Sequence, residues 1–442
     1  MGLQNLLGGS SIDLNPEFRK ALGVMENSTE SLFITGRAGT GKSTLLGYFR
    51  SITQKNVVVL APTGVAALNV KGQTVHSFFG FRPDITPDTV RKVGGIRAQM
   101  YKRLDMVIID EISMVRADLL DCVDRFLRLN GRDDSLVFGG VQMVLIGDLY
   151  QLPPVVSESE AAIFEGHYKS PFFFDAHCFP DFGFRFIELQ KHYRQTDRRF
   201  IEFLNSVRDN SATEGSIGYI NTRFDPFARP SDSGMYITLT TTNRLADQIN
   251  AERLARLPDR TYNFNAAVLG DFDKRIMPTD ERLTLKEGAQ VMLLNNDTHG
   301  RWVNGSIGRI ARIGGDDDGI AVEVELADGG EAEVLPHTWE LFRHSLDEHS
   351  GRLVSRKIGS FTQYPIMLAW AVTIHKSQGK TFDRVIIDTG SGTFAHGQLY
   401  VALSRCTSMN GIILRKRVEK RHMIMDRRIT EFLERAKTYR SA

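Results

Sequence analysis

The sequence contains little cysteine, no long apolar run and almost no excess of either charge. Its three cysteines lie far apart and form no CxxC pair, which excludes a zinc ribbon or a cysteine-ligated iron–sulfur cluster and fits a reducing compartment. No apolar stretch is long enough to cross a bilayer, which excludes a membrane-spanning helix. The formal net charge is only +2, so composition alone does not indicate a nucleic-acid partner, and any basic surface must be local.

The chain length of 442 residues exceeds what one hydrophobic core usually accommodates and predicts several domains. The apolar fraction of 42% and the charged fraction of 24% are those of an ordinary globular protein. The first residues, MGLQNLLGGSSIDLN, show neither the pattern of a secretory signal nor the arginine-rich character of a transit peptide. We therefore expect a cytoplasmic protein.

A glycine-rich stretch, SLFITGRAGTGKSTLLGYF, runs from an apolar strand pattern through a turn into a helical pattern. It matches the phosphate loop G-x-x-x-x-G-K-[ST], with Lys42 and Ser43 as its last two residues, in the strand–turn–helix context that this loop requires. Backbone N–H groups of such a loop surround phosphate oxygens, the lysine reaches the β- and γ-phosphates, and the serine hydroxyl ligates Mg²⁺. The predicted nucleotide contacts here are Gly36, Ala38, Gly39, Thr40, Gly41, Lys42, Ser43 and Thr44.

Two carboxylates end the next strongly apolar stretch, MVIIDEISMV. Residues 106–109 have the pattern of a buried parallel strand, and Asp110 and Glu111 follow it directly. A carboxylate at the carboxyl end of such a strand is where a phosphate-loop enzyme holds its Mg²⁺. We therefore predict that Asp110 binds Mg²⁺ together with Ser43, that Glu111 orients and deprotonates the attacking water, and that the chain hydrolyses ATP.

Further apolar strands alternate with helical patterns. The stretch FGGVQMVLIGDLYQLPPV ends a strand near Asp148 and places Gln151 just beyond it, where a γ-phosphate sensor must lie. The stretches MYITLTTTNRLADQIN and FDRVIIDTG repeat the alternation later in the chain, without a second phosphate loop. The sequence therefore predicts an α/β protein with two doubly wound lobes and a nucleotide between them.

Two segments interrupt this alternation. The first, at residues 82–103, is a basic insertion between two strands of the first lobe. The second, at residues 281–351, contains short alternating strands with glycine and aspartate turns, which predicts a small antiparallel barrel. The C-terminal residues 431–442 continue a basic helical stretch, which either binds phosphates or keeps the chain in solution.

Together these motifs resemble the PIF (petite integration frequency) family of DNA helicases, relatives of RecD-like enzymes in the 5′→3′ branch of helicase superfamily one. The matching stretches are GRAGTGKST, LAPTGVAAL, GQTVHSFF, VIIDEISM, FGGVQMVLIGDLYQLPPV, HYRQ, TIHKSQGKTF and YVALSR. They extend from about Leu14 to about Ile412, which is most of the chain. The helical stretch between Glu111 and Gln142 lies where the family has its signature helix, and it favours this family over plain RecD-like enzymes.

The resemblance implies two RecA-like lobes, 1A and 2A, with a small insertion, 1B, in the first and an Src-homology-three-like β-barrel, 2B, in the second. The expected bounds are 1–81 and 104–182 for lobe 1A, 82–103 for 1B, 183–280 and 352–430 for lobe 2A, 281–351 for 2B, and 431–442 for a basic tail. It also implies that Arg194 in HYRQ and Arg405 in YVALSR are arginine fingers, which stabilise charge on the γ-phosphate. Gly379 in HKSQGKTF joins the nucleotide contacts. The predicted catalytic set is Lys42, Asp110, Glu111, Gln151, Arg194 and Arg405.

The DNA contacts that the resemblance implies combine positive charge with flat groups on which bases stack. They are Thr63, Gly64, His76, Phe78, Asn243, Asn304, His375, Lys376 and Ser377. Two alternatives stay open at this point. Phe78 and its neighbour Phe79 either stack on bases or fill the core, and the basic side chains of residues 82–103 either contact DNA or form a solvated helix face.

The sequence departs from the family in the motif that reads the adenine. The family usually has a glutamine there, in LNxxQ shortly before the phosphate loop. Here the stretch is LNPEFRKAL, with Phe18 near that place. Strict selection of ATP is therefore open, and so is the use of other nucleoside triphosphates.

The resemblance implies an ATP- and Mg²⁺-dependent 5′→3′ DNA helicase that moves along single-stranded DNA and separates the duplex at the 82–103 insertion. The expected partners are single-stranded DNA and its junctions with duplex, with G-quadruplexes and RNA–DNA hybrids as further substrates, and no membrane. We expect a bacterial protein, monomeric in solution and associated with the nucleoid, with the family's roles in repair, recombination and telomere maintenance. The rivals are an RNA helicase on the same scaffold and a DNA-stimulated ATPase switch that does not unwind.

Overall fold

The computed structural model describes residues 13–156, 164, 166–195, 197–228, 234–316, 319–347, 352–390 and 395–438. Its α-helices, α1 to α11 in chain order, are Pro16–Asn27, Lys42–Ile52, Gly64–Asn69, Val75–Phe79, Gly95–Lys102, Ala117–Asn130, Arg198–Arg208, Glu214–Asn221, Asn243–Arg256, Gln398–Ser404 and Arg427–Thr438. Its strands, β1 to β20, are Ser31–Gly36, Val57–Ala61, Gln73–Thr74, Met106–Ile109, Gln142–Gly147, Phe184–Leu189, Ile237–Thr240, Tyr262–Asn265, Ala267–Gly270, Arg282–Leu285, Gln290–Leu293, Ile307–Asp316, Gly319–Leu326, Glu331–Val334, His337–Leu346, Leu353–Gln363, Ile366–Leu368, Ala371–Thr373, Val385–Asp388 and Ile412–Leu414. None of these described helices is long and apolar enough to cross a membrane.

The first lobe is built on a six-stranded parallel sheet in the order β3-β2-β4-β5-β1-β6. Every residue of β4 and β5 is buried, as expected for central strands covered on both faces by helices. Because the strands are parallel, the carboxyl ends of β1, β4 and β5 meet at one edge of the sheet. That edge carries the phosphate loop and the polar residues that follow β4 and β5.

The second lobe is a four-stranded parallel sheet in the order β18-β7-β19-β20. The HKSQGKTF segment follows β18, and α10 carries Arg405 at its end. The predicted α/β architecture with two doubly wound lobes is therefore confirmed.

Lobe 2A was expected to start at residue 183, but the next strand, β6, belongs to the sheet of the first lobe. β6 pairs in parallel with β1 along its whole length, from Ser31 opposite Phe184 to Gly36 opposite Leu189. The first sheet therefore ends one strand later than expected. A strand near a lobe boundary has the same sequence pattern whichever sheet it joins, so only its pairing assigns it to a lobe.

The antiparallel insertion is larger than residues 281–351. A five-stranded sheet in the order β14-β13-β12-β11-β17 packs around a core that contains Trp302 and Tyr364. Two smaller sheets, β10-β8 and β15-β16-β9, contain the other antiparallel strands. These strands begin at Tyr262 and continue to Leu368, inside the expected lobe 2A. In β8 two half-buried aromatic residues alternate with exposed asparagines over only four residues, and all four residues of β9 are exposed, so neither stretch gives a long strand pattern.

Most of the expected basic tail is helical, as its sequence indicates, and one face of that helix is packed. The buried residues of α11 are Ile429, Phe432, Leu433 and Ala436. Their spacing is that of an amphipathic helix with one apolar face. The ring of Phe432 stacks on Phe174 with centroids 4.4 Å apart and lies 5.8 Å from Phe33 of β1. This helix fixes the C-terminal part of the chain to the first lobe, and residues 439–442 lie outside the described part.

The 1B insertion contains α5, which joins the first lobe to the antiparallel insertion. The fully buried Tyr101 of α5 donates its hydroxyl to the carbonyl of Phe78 at 2.8 Å. On its other side, α5 packs against β15. Residues 82–103 are therefore anchored from both sides in this arrangement.

Candidate active site

The phosphate loop lies between β1 and α2. Gly39 and Gly41 have φ angles of 81° and 87°, in a region that glycine enters without steric cost. A Cβ on Gly39 would lie 2.6 Å from the Cβ of Arg194, so this glycine also allows a distant segment to approach the loop. Since α2 begins at Lys42, its free backbone N–H groups face the loop and favour an anion there.

Lys42 is held against the backbone of its own loop. Its Nζ donates to the carbonyl oxygens of Gly36 at 2.7 Å and of Arg37 at 3.1 Å. Burial lowers the pKa of Lys42, and the carboxylates of Asp148 and Glu111 oppose that shift. The ammonium group is therefore placed where phosphate oxygens can replace the two carbonyls as its acceptors.

Asp110 and Glu111 follow β4 at the same edge of the sheet. Asp110 is buried, and its Oδ1 accepts a hydrogen bond from the backbone N–H of Glu111 at 2.9 Å. Glu111 has a left-handed backbone with φ 51°, which is uncommon for a residue with a side chain. Burial, and then the charge of Asp110, raise the pKa of Glu111 to about 7. A carboxylate with that pKa can take a proton from water near neutral pH.

An amide bridge joins Glu111 to the residue predicted as the γ-phosphate sensor. Nε2 of Gln378 donates to Glu111 Oε2 and to Gln151 Oε1, at 3.3 Å each. Gln151 in turn donates to Asp148 Oδ2 at 3.2 Å. The sequence interpretation missed Gln378. Its position next to Gly379, in a stretch already assigned to the nucleotide, was the signal that could have found it.

Arg405 and Arg194 reach the same cleft from beyond the first sheet. Arg405 is 1% exposed, and its Nη1 donates to the carbonyls of Ser377 at 3.4 Å and Lys380 at 3.3 Å. Arg194 donates to the carbonyl of Gly379 at 3.3 Å. Burial lowers the pKa of Arg405 to about 9, and the charge of Arg194 acts in the same direction. These carbonyl acceptors are neutral, so both positive charges remain available to a phosphate.

The groups described so far surround one cavity of about 680 Å³. The predicted residues that line it are Ala38, Gly39, Thr40, Gly41, Lys42, Ser43, Thr44, Glu111, Gln151, Arg194, Gly379 and Arg405. Gly36 and Asp110 do not line it but contact residues that do, through their bonds to Lys42 and Glu111. The remaining lining residues are Asp13, Phe18, Tyr193 and Thr381. The structure thus brings the predicted nucleotide and catalytic residues together.

A buried ion pair behind the cavity was not indicated by any sequence motif. Arg208 on α7 lies 3.4 Å from Asp148, which is fully buried, and its guanidinium stands 4.1 Å from the centre of the Tyr150 ring. The hydroxyl of Tyr400 on α10 lies 3.5 Å from the other oxygen of Asp148. Although burial opposes it, Arg208 and Lys42 lower the pKa of Asp148, which therefore stays ionised. This carboxylate links the strand end that bears Gln151 to two helices from later in the chain.

The side chains at the loop fit a magnesium ion. A serine hydroxyl and an aspartate carboxylate, Ser43 and Asp110, are hard oxygen donors of the kind that Mg²⁺ prefers. In the described part of the chain, no group of three or more His, Cys, Asp or Glu residues could hold a metal alone. Mg²⁺ at a nucleotide site usually binds through phosphates and one or two protein carboxylates.

The predicted DNA contacts differ in how far they are exposed in this arrangement. Lys376 and Asn243 are exposed, and His375 and His76 are half-buried. Thr63 is the N-cap of α3, where its hydroxyl accepts from a backbone N–H. Of these positions, Lys376, Asn243 and Thr63 are exposed and open to a phosphate backbone.

Two other DNA candidates lie at contacts between the antiparallel insertion and the lobes. The side chain of Ile276 packs so closely on Gly64 that any Cβ at that position would collide with it. Asn304 Oδ1 accepts from Lys380 Nζ at 2.7 Å, and Asn304 Nδ2 donates to Asn69 Oδ1 at 3.3 Å. The insertion is therefore fastened to α3 and to the HKSQGKTF segment.

Two of the predicted DNA contacts are buried in this arrangement. Phe78 is only 4% exposed, and its ring contacts those of Phe79 and Tyr101 at 4.9 and 5.5 Å, so it fills the core. Ser377 is fully buried, and its hydroxyl donates to the carbonyl of Ile374 at 2.7 Å. Neither side chain has a face free for DNA in this arrangement.

Two parallel sheets, one phosphate loop and an arginine, Arg405, supplied by a second lobe define a two-lobed phosphate-loop NTPase. Residues 15–215 match the profile of the PIF1-like helicase family, and residues 368–408 match that of the UvrD-like helicase C-terminal domain. The ATP-dependent DNA helicase Pif1 of Bdellovibrio bacteriovorus is 31% identical over 425 residues, which cover 93% of this chain and 90% of that protein. The chain therefore belongs to the PIF1-like helicase family, as its motifs predicted.

Two solved structures of Bacteroides Pif1, one unliganded and one bound to single-stranded DNA, differ in how closely they superpose on the structure of this chain. The unliganded Pif1 from a Bacteroides species has a TM-score of 0.88 at 37% identity, and the match covers 97% of this chain and 98% of that one. Bacteroides Pif1 bound to single-stranded DNA has a TM-score of 0.68 at 36% identity over the same shares. The arrangement of this chain is therefore nearer to that of the unliganded relative, which agrees with the contacts that cover Gly64 and Asn304.

Proposed function

We propose that this chain is an ATP-dependent DNA helicase that moves 5′→3′ along single-stranded DNA and unwinds duplex DNA. The observation that carries the proposal is the single cavity lined by Lys42, Glu111 and Arg405, which come from distant parts of the chain. Membership of the PIF1-like helicase family supports DNA as the track. The polarity rests on the resemblance to the 5′→3′ branch of the superfamily. Bacterial relatives support a site of action at the nucleoid.

In the proposed hydrolysis step, Lys42 binds the β- and γ-phosphates, and Ser43 and Asp110 hold Mg²⁺. The bound ion neutralises charge on the phosphate oxygens. Glu111 orients the attacking water and takes its proton, and Gln151 contacts the γ-phosphate. The raised pKa of Glu111 supports this role, because a base is most effective when its pKa lies near the working pH.

The arginines connect hydrolysis to movement of the second lobe. In this structure both arginines donate hydrogen bonds to backbone carbonyls of residues 377–380. Arg405 donates to Ser377 and Lys380, and Arg194 donates to Gly379. In the proposal they exchange these acceptors for γ-phosphate oxygens when ATP binds. The released segment begins next to His375 and Lys376, so nucleotide binding changes the grip on DNA at those two residues.

The test compares unwinding of one duplex that bears a 5′ single-stranded tail with the same duplex bearing a 3′ tail, in ATP and Mg²⁺. Unwinding of the 5′-tailed form is expected, and Arg405→Ala should lower the rate by roughly 10³- to 10⁵-fold. Arg435→Ala, which removes an exposed arginine of α11, is the matched control and should unwind normally.

Three other outcomes would revise the proposal. Unwinding from the 3′ tail would contradict the polarity. DNA-stimulated hydrolysis without strand separation would favour the ATPase switch. Faster unwinding when the tail is RNA would favour an RNA helicase, which reads the 2′-hydroxyl.

A further inference from the structure

We propose that Gln378 is a positioning residue through which DNA binding controls hydrolysis. It restrains Glu111 and Gln151 while no DNA is bound, and DNA at Lys376 withdraws it. The inference rests on the proposed function and adds to it the residue by which the DNA track acts on the nucleotide cleft. It is carried by one amide group that bonds to two side chains used in the proposed hydrolysis step.

The bridge from Gln378 crosses from the second lobe to the first. Gln378 follows β18, whereas Glu111 and Gln151 follow β4 and β5. Nε2 of Gln378 lies 3.3 Å from Glu111 Oε2 and 3.3 Å from Gln151 Oε1. The side-chain nitrogen of Gln151 donates to Asp148 at 3.2 Å. One oxygen of the base and both ends of the sensor amide are therefore engaged within the protein, and an attacking water or a γ-phosphate must compete with these bonds.

The two bonds from Gln378 are long and easily broken. The heavy atoms of N–H···O bonds in proteins usually lie about 2.7–3.2 Å apart, and a side-chain pair at about 3.6 Å is no longer bonded. A displacement of Gln378 by roughly 0.5 Å therefore breaks both bonds. Its side chain is half-buried, so water can replace the two acceptors.

The turn that carries Gln378 is stiff. The backbone N–H of Ser377 donates to the carbonyl of Thr373 at 3.0 Å, and that of Gln378 donates to the carbonyl of His375 at 3.1 Å. The side-chain oxygen of Thr373 accepts from the backbone N–H of Lys376 at 3.2 Å. Because these bonds join both ends of the turn, a pull on Lys376 is passed on to Gln378 instead of being absorbed between them.

Lys376 is the point where DNA acts on this turn. Its side chain is exposed, and it lies two residues before Gln378. An exposed lysine binds a phosphate as a compact charge on a flexible stem. When a phosphate of the strand draws Lys376 outward, the turn moves as a unit and Gln378 leaves Glu111 and Gln151. Hydrolysis is then faster when the track is occupied than when it is empty.

The experiment measures kcat for ATP hydrolysis with and without saturating oligo-dT, in the wild-type chain and in Gln378→Met. Methionine has the length of glutamine and donates no hydrogen bond. Without DNA, kcat should rise by about 3- to 30-fold, the order of one long hydrogen bond to a charged group. With DNA, kcat should stay within roughly threefold of the wild type, because the bond that the substitution removes is already broken in that state.

DNA affinity gives an independent readout. DNA binding must break the bridge in the wild-type chain but not in Gln378→Met, so affinity for oligo-dT without nucleotide should rise by a similar factor of about 3- to 30-fold. Loss of a merely structural contact would lower hydrolysis in both conditions and would not raise DNA affinity. Gln54→Met makes the same substitution at an exposed position between α2 and β2, and this matched control should behave as the wild type.

Hydrolysis without DNA that is unchanged or slower in Gln378→Met would overturn the inference and leave the proposed function intact. A wild-type enzyme that unwinds DNA but hydrolyses ATP no faster with DNA would do the same. An enzyme that unwinds neither tailed duplex would overturn the proposed function and the inference with it.

Thermal melting shows whether Gln378→Met folds. If it does not, Gln378→Ala removes the same donor and leaves room for water, and the same two measurements on that variant decide the matter. An increase of hydrolysis without DNA is expected in it as well, and a decrease would overturn the inference.

Discussion

The nucleotide cleft and the DNA face of this molecule differ in one respect. In this structure the predicted residues of the cleft lie together, whereas several predicted residues of the DNA face are buried or covered. In the cleft, the predicted residues line one cavity or contact residues that line it. On the DNA face, Phe78 and Ser377 are buried, and Gly64 and Asn304 are covered by contacts with other units. The core of the cleft was predicted from motifs in the sequence itself, whereas the DNA contacts were implied only by the resemblance, so the two regions differ in sequence signal as well as in structure.

The physical reason is the number of structural units that form each region. Most of the cleft is one edge of one buried parallel sheet, where β1, β4 and β5 end together. The DNA face is shared between the first lobe, the second lobe and the antiparallel insertion, and its shape depends on how these units are placed. The lower TM-score against the relative bound to single-stranded DNA agrees with this view. The rigid sheet edge keeps its own part of the nucleotide site together when the units move, whereas the DNA face has no such part that holds it together.

Glu111→Gln is expected to give the largest difference between the two regions, because it should impair ATP hydrolysis and leave DNA binding intact. The amide cannot accept the proton from water, so kcat for ATP hydrolysis should fall by about 10²- to 10⁴-fold. Affinity for single-stranded DNA should stay within roughly twofold in the absence of nucleotide, because Glu111 lies in the cleft. Steady-state hydrolysis and fluorescence anisotropy measure the two quantities. A loss of DNA affinity as large as the loss of hydrolysis would break the comparison.

The next effect concerns Phe78. The sequence left open whether this residue stacks on bases or fills the core, and in the structure it is buried. Phe78→Ala should lower the free energy of unfolding by about 3–5 kcal/mol, as for other buried aromatic side chains. Phe78→Leu keeps most of the apolar volume and should cost clearly less. Denaturant unfolding gives the stability, and anisotropy gives the DNA affinity of the folded fraction. Normal stability with weakened DNA binding would restore the stacking role.

A smaller effect is expected from Lys376→Ala on the open part of the DNA face. Losing one phosphate contact should weaken binding by a similar factor for all sequences. It should also make the slope of log affinity against log salt shallower by about 0.7, the value for one contact to a single strand. A salt titration of anisotropy measures the slope, and Lys20→Ala, at an exposed position on α1, is the control. Equal slopes in the two variants would remove Lys376 from the track.

The smallest effect tests whether the insertion closes the DNA face. Asn69→Ala removes the acceptor for Asn304 and should raise affinity for single-stranded DNA by about 2- to 10-fold, the value of one neutral hydrogen bond that DNA binding must break. Asn69→Asp keeps an acceptor at the same place and should change affinity less. Reduced affinity in Asn69→Ala would show that the bond supports DNA binding instead of opposing it.

The sequence determined the chemistry of the cleft because each contributing motif is local. The phosphate loop needs glycines, a lysine and a serine at fixed spacing, and the carboxylates need only follow an apolar strand. Arg194 and Arg405 could be assigned through the resemblance, since each lies in a short recognisable stretch. Gln378 lies in such a stretch as well, but no rule of spacing predicts that its amide bridges Glu111 and Gln151.

Other features depend on contacts between residues far apart in the chain, and only the tertiary structure decided them. Pairing with β1 placed β6 in the first sheet, and packing against Phe174 anchored the predicted C-terminal helix to the first lobe. The Arg208–Asp148 pair has no sequence signature, because the two residues are 60 positions apart and belong to no common motif. A motif fixes which atoms are available within a few residues. Burial, and the partner that each group meets, are properties of the packed chain.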